Sequence, residues 1–319
     1  MNDRGAMSRS LTNMAFGPYV LREIIGAGGI AEVYRADHRD DGHRTDHHGY
    51  AIKVMRPERA AEKQQVKNFL EEYDTIQSLT HQSIPVVRRQ GEIDGRPAFA
   101  MDLVPGDNLA VIQTKKLVYP GVRCLAELCA VADFLHRQDI IHNDLKLENC
   151  LLRPDGGLVL VDYGSVRFPR RTSFVQRLFA KPQKSVFGTA TYLAPELIQG
   201  SRPTFRTDVY ALGVCAFMLL TGKPPFEESR QSGRLRANLN AIPPSIASRV
   251  PGIHPAVAAI IDRCLTKNPE GRPMSASEVG AAAQTHLVKM RESEVHQVVN
   301  GNKLVAASQR ASLDLSIDL

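Results

Sequence analysis

The feature that most constrains this chain is a change of periodicity at Pro105-Gly106-Asp107-Asn108. Before it, residues 19–57 alternate in strand fashion as YVLREII, AEVYRAD and YAIKVM, broken by glycines and by the polar insert HRDDGHRTDHHG. PVVRRQGEI and RPAFAMDLV add two strand-like pieces, and residues 58–80 space Val66, Phe69, Leu70, Tyr73, Ile76 and Leu79 as a helical stripe. After it the patterns are helical: GVRCLAELCAVADFLHRQ, VYALGVCAFMLL and HPAVAAIIDRCLTK. Elements of period two and period 3.6 bury their apolar faces differently, so an α+β, bilobal fold is expected. It has a small β-rich N-lobe with one major helix over 19–104, a hinge near 104–108, and a larger, mostly helical C-lobe over 105–285. Residues 1–18 read as an N-terminal extension and 286–319, where periodicity fades, as a tail.

Composition narrows the class. A chain of 319 residues, 43% hydrophobic and 23% charged, is ordinary for a globular protein. The longest apolar run, Val209–Leu220, falls short of the roughly 18–20 residues a membrane helix needs and reads as a buried helix. The N-terminus lacks the apolar core of a signal peptide, so a cytoplasmic protein with no membrane span is expected. Five cysteines with no CxxC pair read as reduced core residues. The formal charge of +6 would suit nucleic acid, but there is no Trp, no aromatic stacking motif and no zinc-finger spacing, so nucleic acid is not an expected partner.

Several residues carry chemistry. Gly26-Ala27-Gly28-Gly29, between two strands, lets the backbone approach phosphates and offer them N–H groups, although a tight hairpin would look much the same. A dinucleotide-binding turn would need a helix next; AEVYRAD is strand-like, and no Walker A loop is present. Lys53 lies inside the apolar strand Tyr50-Ala51-Ile52-Lys53-Val54, where a buried ammonium demands a carboxylate or phosphate. Glu72 shares the apolar face of the following helix, whereas Glu71 is turned about 100° away, so Glu72 is the expected partner. In IIHNDLKLEN, His142, Asp144, Lys146 and Asn149 follow two isoleucines, and the hairpin ENCLLRPDGGLVLVDYG can bring Asn149 and Asp162 together as hard oxygen ligands for Mg²⁺.

In combination these elements resemble the eukaryotic-like serine/threonine protein kinase family, of the type also widespread in bacteria. The glycine-rich loop, the strand lysine, the helix glutamate, HxDLKxxN, Asp162-Tyr163-Gly164 and Ala194-Pro195-Glu196 occur in that family's order over residues 19–285. The resemblance implies transfer of the γ-phosphate of ATP to Ser/Thr hydroxyls of proteins, including the kinase itself, with Mg²⁺ or, in its place, Mn²⁺. It implies that Lys53 holds the α/β-phosphates, Asp144 orients and deprotonates the acceptor hydroxyl, Lys146 neutralises charge on the transferred group, and Asn149 and Asp162 bind the metal. Gly26, Ala27, Gly28 and Gly29 would cover the phosphates. Adenine would lie between Val33 and Ala51 above and Leu151 below, with Met101 at the rear and Asp102–Val104 as the hinge. Asp208 would anchor the catalytic loop and Arg272 would pair with Glu196.

The chain departs from the family pattern at Ala31, where a third glycine is usual, at Tyr163 in place of Phe, and at Asn143, where the family places an Arg that holds a phosphorylated loop. Activity without loop phosphorylation is therefore expected. From Arg167 to Lys184 there are six basic residues and no acidic one, which suits either a solvated loop or a surface for an acidic partner. Thr172, Ser173 and Ser312 follow arginines as autophosphorylation sites do, and His43, His47 and His48 read as a solvated excursion rather than a metal cluster. Two alternatives stay open: a nucleotide-binding pseudokinase scaffold and a kinase of small molecules.

Overall fold

The computed structural model describes residues 10–40, 49–112, 118–169 and 190–299. His43, His47 and His48, the basic stretch 170–184 with Thr172 and Ser173, and the tail with Ser312 lie outside the described residues. The chain divides into two compact units, one of residues 1–105 with 161–164, the other of 106–160 with 165–319.

The first unit is a six-stranded antiparallel sheet in the order β1-β2-β3-β4-β6-β5. Its strands are β1 (Ala15–Phe16), β2 (Tyr19–Ala27), β3 (Ala31–His38), β4 (Tyr50–Met55), β5 (Val87–Ile93) and β6 (Arg96–Asp102). Asp94 and Gly95 both take positive φ, 53° and 68°, which gives the two-residue hairpin turn joining β5 to β6. One sheet face buries Leu21, Tyr34, Ile52, Val54, Ala98 and Ala100. Leu11 and Phe16, from the segment expected to be an extension, belong to this same core. The other face packs Met55 and Phe99 against Phe69 and Tyr73 of a helix.

Residues 58–80 do not form one continuous helix. A single turn, α1 (Pro57–Ala60), is followed by α2 (Lys63–Gln77). Glu62 between them is extended, with φ −92° and ψ 100°. The apolar stripe begins only at Val66, and α1, with no fully buried residue and Ala60 alone packed against the core, gains little packing to extend it.

The second unit holds a small sheet, β7 (Asp107–Asn108), β8 (Cys150–Leu152) and β9 (Leu158–Leu160), and most of the helices. Gly106 has φ +119°, and a Cβ there would collide with the carbonyl of Leu152, so the glycine of the Pro105–Asn108 punctuation is required sterically. The helices are α3 (Leu109–Ile112), α4 (Val118–Arg137), α5 (Pro195–Ile198), α6 (Phe205–Thr221), α7 (Gln231–Asn240), α8 (Pro255–Cys264) and α9 (Ala276–Val299). α6 is apolar on all sides and buried along almost its whole length, which makes it the central helix of the unit. α9 runs past residue 285 into the expected tail, with His286 and Leu287 still buried. All five cysteines are free and buried in this unit. Among the described residues no helix is long and apolar enough to cross a membrane.

Candidate active site

In the first unit the ladder sets Val33 opposite Lys53 and Lys53 opposite Phe99, with Ala51 opposite Met101. Directly paired residues share a sheet face, so Val33, Ala51, Lys53 and Met101 line one surface. Lys53 Nζ donates to both carboxylate oxygens of Glu72, at 2.6 and 2.8 Å, and to Asp162 Oδ1 at 3.1 Å. Glu71 sits on the surface instead, 3.7 Å from Lys67.

Glu72 is 4% exposed, and its Oε1 also accepts the Tyr163 N–H at 3.2 Å. Burial, reinforced by the negative charge of Asp162, holds the Glu72 carboxyl above its ordinary pKa, against the pull of Lys53. Burial by itself would lower the pKa of Lys53, but Asp162 and Glu72 outweigh it and the lysine stays charged. Both pKa values are raised: burial drives that of Glu72 and favours its neutral form, whereas the two carboxylates facing one ammonium drive that of Lys53 and favour its charged form. Asp162 takes φ +67°, a costly conformation for a residue with a side chain, and its carboxylate is 45% exposed.

The strands β2 and β3 meet in the turn 28–30, closed by the Gly28 N–H on the Ala31 carbonyl at 2.9 Å. Gly26 and Ala27 are paired in β2, opposite Val33 and Glu32. In the hinge segment, the Asp102 N–H donates to Val86 O and the Leu103 N–H to Gly49 O. The Asp102 carboxylate is held bidentately by Arg88 at 2.6 and 2.7 Å. The N–H groups of Asp102 and Leu103 are therefore already engaged within the protein.

In the second unit the segment 142–149 is suspended from α6. Asp208, buried in that helix, accepts the N–H groups of His142 and Asn143, each at 2.8 Å, and lies 2.9 Å from His136 Nε2. Leu145 and Leu147 are buried on alternate positions, which leaves Lys146 between them on the other side. Lys146 Nζ donates to Asp144 Oδ2 at 2.6 Å. Asn149 Nδ2 donates to the Asp144 carbonyl at 3.0 Å and to its carboxylate at 3.3 Å, which directs the amide oxygen of Asn149 away as a hard donor. Asn143 has φ +63°, and its Nδ2 reaches the Ser165 carbonyl at 3.4 Å. Leu151 lies in β8, paired with Val159.

Asn149 immediately precedes β8 and Asp162 follows β9 by two residues. Taken separately, the Asn149 amide oxygen and the half-exposed Asp162 carboxylate are oxygen donors of the kind Mg²⁺ prefers. Among the described residues there is no cluster of three or more His, Cys, Asp or Glu side chains suited to a metal.

Two residues of this unit carry no signal in the sequence reading. Glu148 accepts the Tyr192 hydroxyl at 3.0 Å, and that hydroxyl also receives the Leu147 N–H at 3.4 Å. Buried Asn238 donates to the carbonyls of Ala190 and Leu193 at 2.8 and 3.0 Å. Together they hold the segment 190–193 beside Leu147 and Glu148. Glu196 and Arg272 form a bidentate pair, both contacts at 2.8 Å.

The family model described as "Protein kinase domain" matches residues 19–283. The serine/threonine-protein kinase PknJ of Mycobacterium tuberculosis is 32% identical over 284 residues, covering 85% of this chain and 46% of that protein. PknF of the same species is 32% identical over 270 residues, covering 81% and 54%. PknB of Mycolicibacterium smegmatis is 29% identical over 302 residues, covering 92% and 46%. The chain thus spans about half the length of the curated relatives it matches.

Proposed function

Because the chain belongs to the protein kinase domain family, we propose that it transfers the γ-phosphate of ATP to Ser or Thr hydroxyls of protein substrates, itself included. The observation that carries this reading is Lys53, held by both oxygens of Glu72 and by Asp162. An ammonium that stays charged in a buried setting is suited to the α/β-phosphates. The names of PknJ, PknF and PknB point the same way.

Each residue has a role in the proposed reaction. Asp144 orients the acceptor hydroxyl and accepts its proton, and Asn149 fixes the carboxylate for that task. Lys146, 2.6 Å from Asp144, is placed to donate to the phosphoryl oxygens as charge builds on them. Asn149 and Asp162 would hold Mg²⁺, which when bound supplies charge neutralisation of the β- and γ-phosphates. Val33, Ala51 and Met101 are apolar and suited to adenine, with Val104 offering backbone groups to its edge and Leu151 a second apolar surface. Requirement for ATP and five reduced thiols favour the cytoplasm as the place of action.

The test is incubation with labelled Mg·ATP, alone and with a generic protein acceptor, comparing wild type with Lys53→Met and Asp144→Asn. Incorporation of label by wild type, reduced about 10²–10⁴-fold in Asp144→Asn, is expected. Transfer that survives in both variants would defeat the assignment.

Control is proposed to differ from the family pattern. Asn143 carries no charge with which to grip a phosphorylated loop, so activity should survive phosphatase treatment, and the basic stretch 167–184 would answer to an acidic partner instead. Loss of activity on dephosphorylation would refute this.

A further inference from the structure

Two arginines hold the turn between β2 and β3 from outside, and the proposed chemistry leaves them without a task. Arg56 follows β4 and Arg59 lies in α1. Arg56 Nε donates to the Gly28 carbonyl at 2.7 Å, Arg59 Nε donates to the Gly29 carbonyl at 3.2 Å, and the Arg56 N–H donates to the Ile30 carbonyl at 2.9 Å. In a planar trans peptide the C=O and the following N–H point in opposite directions. Holding the carbonyl of Gly28 therefore aims the N–H of Gly29 to the other side, and holding that of Gly29 does the same for Ile30.

The glycines are not demanded by the turn itself. Neither Gly28 nor Gly29 has a positive φ, a Cβ on Gly28 would meet Ala31 O at an ordinary 3.7 Å, and one on Gly29 would meet nothing within 4 Å. Such residues leave their peptide planes free to rotate unless something else orients them. Arg56 is in turn fixed from the core: its Nη1 lies 3.8 Å from Oε1 of buried Glu32, whose Oε2 accepts the Tyr34 hydroxyl at 3.0 Å. A chain of polar contacts thus runs from Tyr34 through Glu32 and Arg56 to the turn.

Resting on the reading that this turn cradles the phosphates of ATP, we propose that Arg56 and Arg59 are positioning residues. They clamp the carbonyls of Gly28 and Gly29 so that the amides of Gly29 and Ile30 are presented to the β- and γ-phosphates. Their effect is confined to ligands that carry those phosphates.

The test measures, with Mg²⁺ present, the affinities of adenosine, ADP and β,γ-imido-ATP, together with KM for ATP and kcat. The proteins are wild type, the double variant Arg56→Met/Arg59→Met, Arg59→Met alone and Arg22→Ala. Arg22 pairs with Asp37 at 2.6 Å on the same sheet and serves as the control. Expected in the double variant is roughly tenfold weaker binding of β,γ-imido-ATP and a matching rise in KM, with adenosine affinity unchanged and kcat little affected. Arg59→Met should lose roughly two- to threefold, and Arg22→Ala nothing. Where the double variant fails to fold, Arg59→Met, whose side chain is 40% exposed, carries the test. Equal losses for adenosine and the analogue, or no loss, would overturn the clamp. Wild type that binds the analogue no better than adenosine would overturn the phosphate-cradle reading along with it.

Discussion

Lys53 with Glu72 and Arg272 with Glu196 are the same chemistry, a cation held by both oxygens of a buried carboxylate, placed in different units of the molecule. Arg272 is saturated. Its five N–H groups go to Thr266 O, to Glu196 Oε1 and Arg206 O, and to Glu196 Oε2 and Lys267 O. The guanidinium also sits over the Tyr210 ring at 4.9 Å. Charge is balanced one to one and no donor faces outward. Lys53 instead gives all three of its hydrogen bonds to carboxylates, and two carboxylates meet one ammonium. The excess negative charge ends on a half-exposed Asp162. A balanced, saturated pair builds architecture, whereas an unbalanced pair with an open end can take a ligand cation or exchange partners with a phosphate.

The largest effect that probes this contrast is on stability. Arg272→Met leaves Glu196 buried without its partner and should cost about 3–5 kcal/mol, read as a fall in the midpoint of thermal unfolding by circular dichroism. Lys53→Met in the same assay should shift the midpoint far less while removing most phosphoryl transfer. Similar midpoints for the two variants would erase the contrast.

A smaller effect is expected from pH. The Glu72 carboxyl is held above the ordinary value of 4.5, chiefly by burial, so the folded protein binds this proton more tightly than the unfolded chain. As pH falls through the raised pKa, protonation of Glu72 favours the folded state, yet it removes the partner of Lys53. Lys53 has a raised pKa, so its own contribution to stability is complete below 10.5 and is lost only at more alkaline pH. Activity should therefore decline on an acid limb lying above 4.5 without unfolding, and Glu72→Gln should be roughly tenfold less active with that limb gone. A pH profile of kcat/KM for ATP, with fluorescence to monitor folding, separates the two. An unchanged limb in Glu72→Gln would assign it elsewhere.

The smallest effect is at the segment 190–193. Tyr192→Phe removes the hydrogen bond to Glu148 and the acceptor of the Leu147 N–H, and should cost about 0.5–1.5 kcal/mol for each, read in the same melts, with a severalfold rise in KM for a peptide acceptor and little change in KM for ATP. A change confined to ATP would contradict its placement.

Much of this was legible along the chain because it is written in period and in outliers. Alternation marked β2, β3 and β4, and a charged residue inside an apolar strand marked Lys53. The stripe through Phe69, Tyr73 and Ile76 told Glu72 from Glu71, since a helix face is a local property. Other features had no such local signature. The break between α1 and α2 depends on where packing begins, and the place of Leu11 and Phe16 in the sheet core depends on what the sheet leaves to be covered. Glu148, Asn238, Arg56 and Arg59 are polar residues in polar surroundings whose partners come from distant segments.

By itself the sequence determined the type of each principal element and the change of architecture at Pro105–Asn108, and it singled out candidate side chains for phosphate and metal. Those follow from hydrophobic periodicity and from the cost of burying charge, both of which act residue by residue. Only the tertiary structure decided that Lys53 reaches Asp162 across 109 positions, that Asp162 and Asn143 take positive φ, that Arg272 is saturated, and that two arginines grip the glycine turn. Contacts of that kind are fixed by close packing of remote segments, where distance in space bears no relation to distance along the chain.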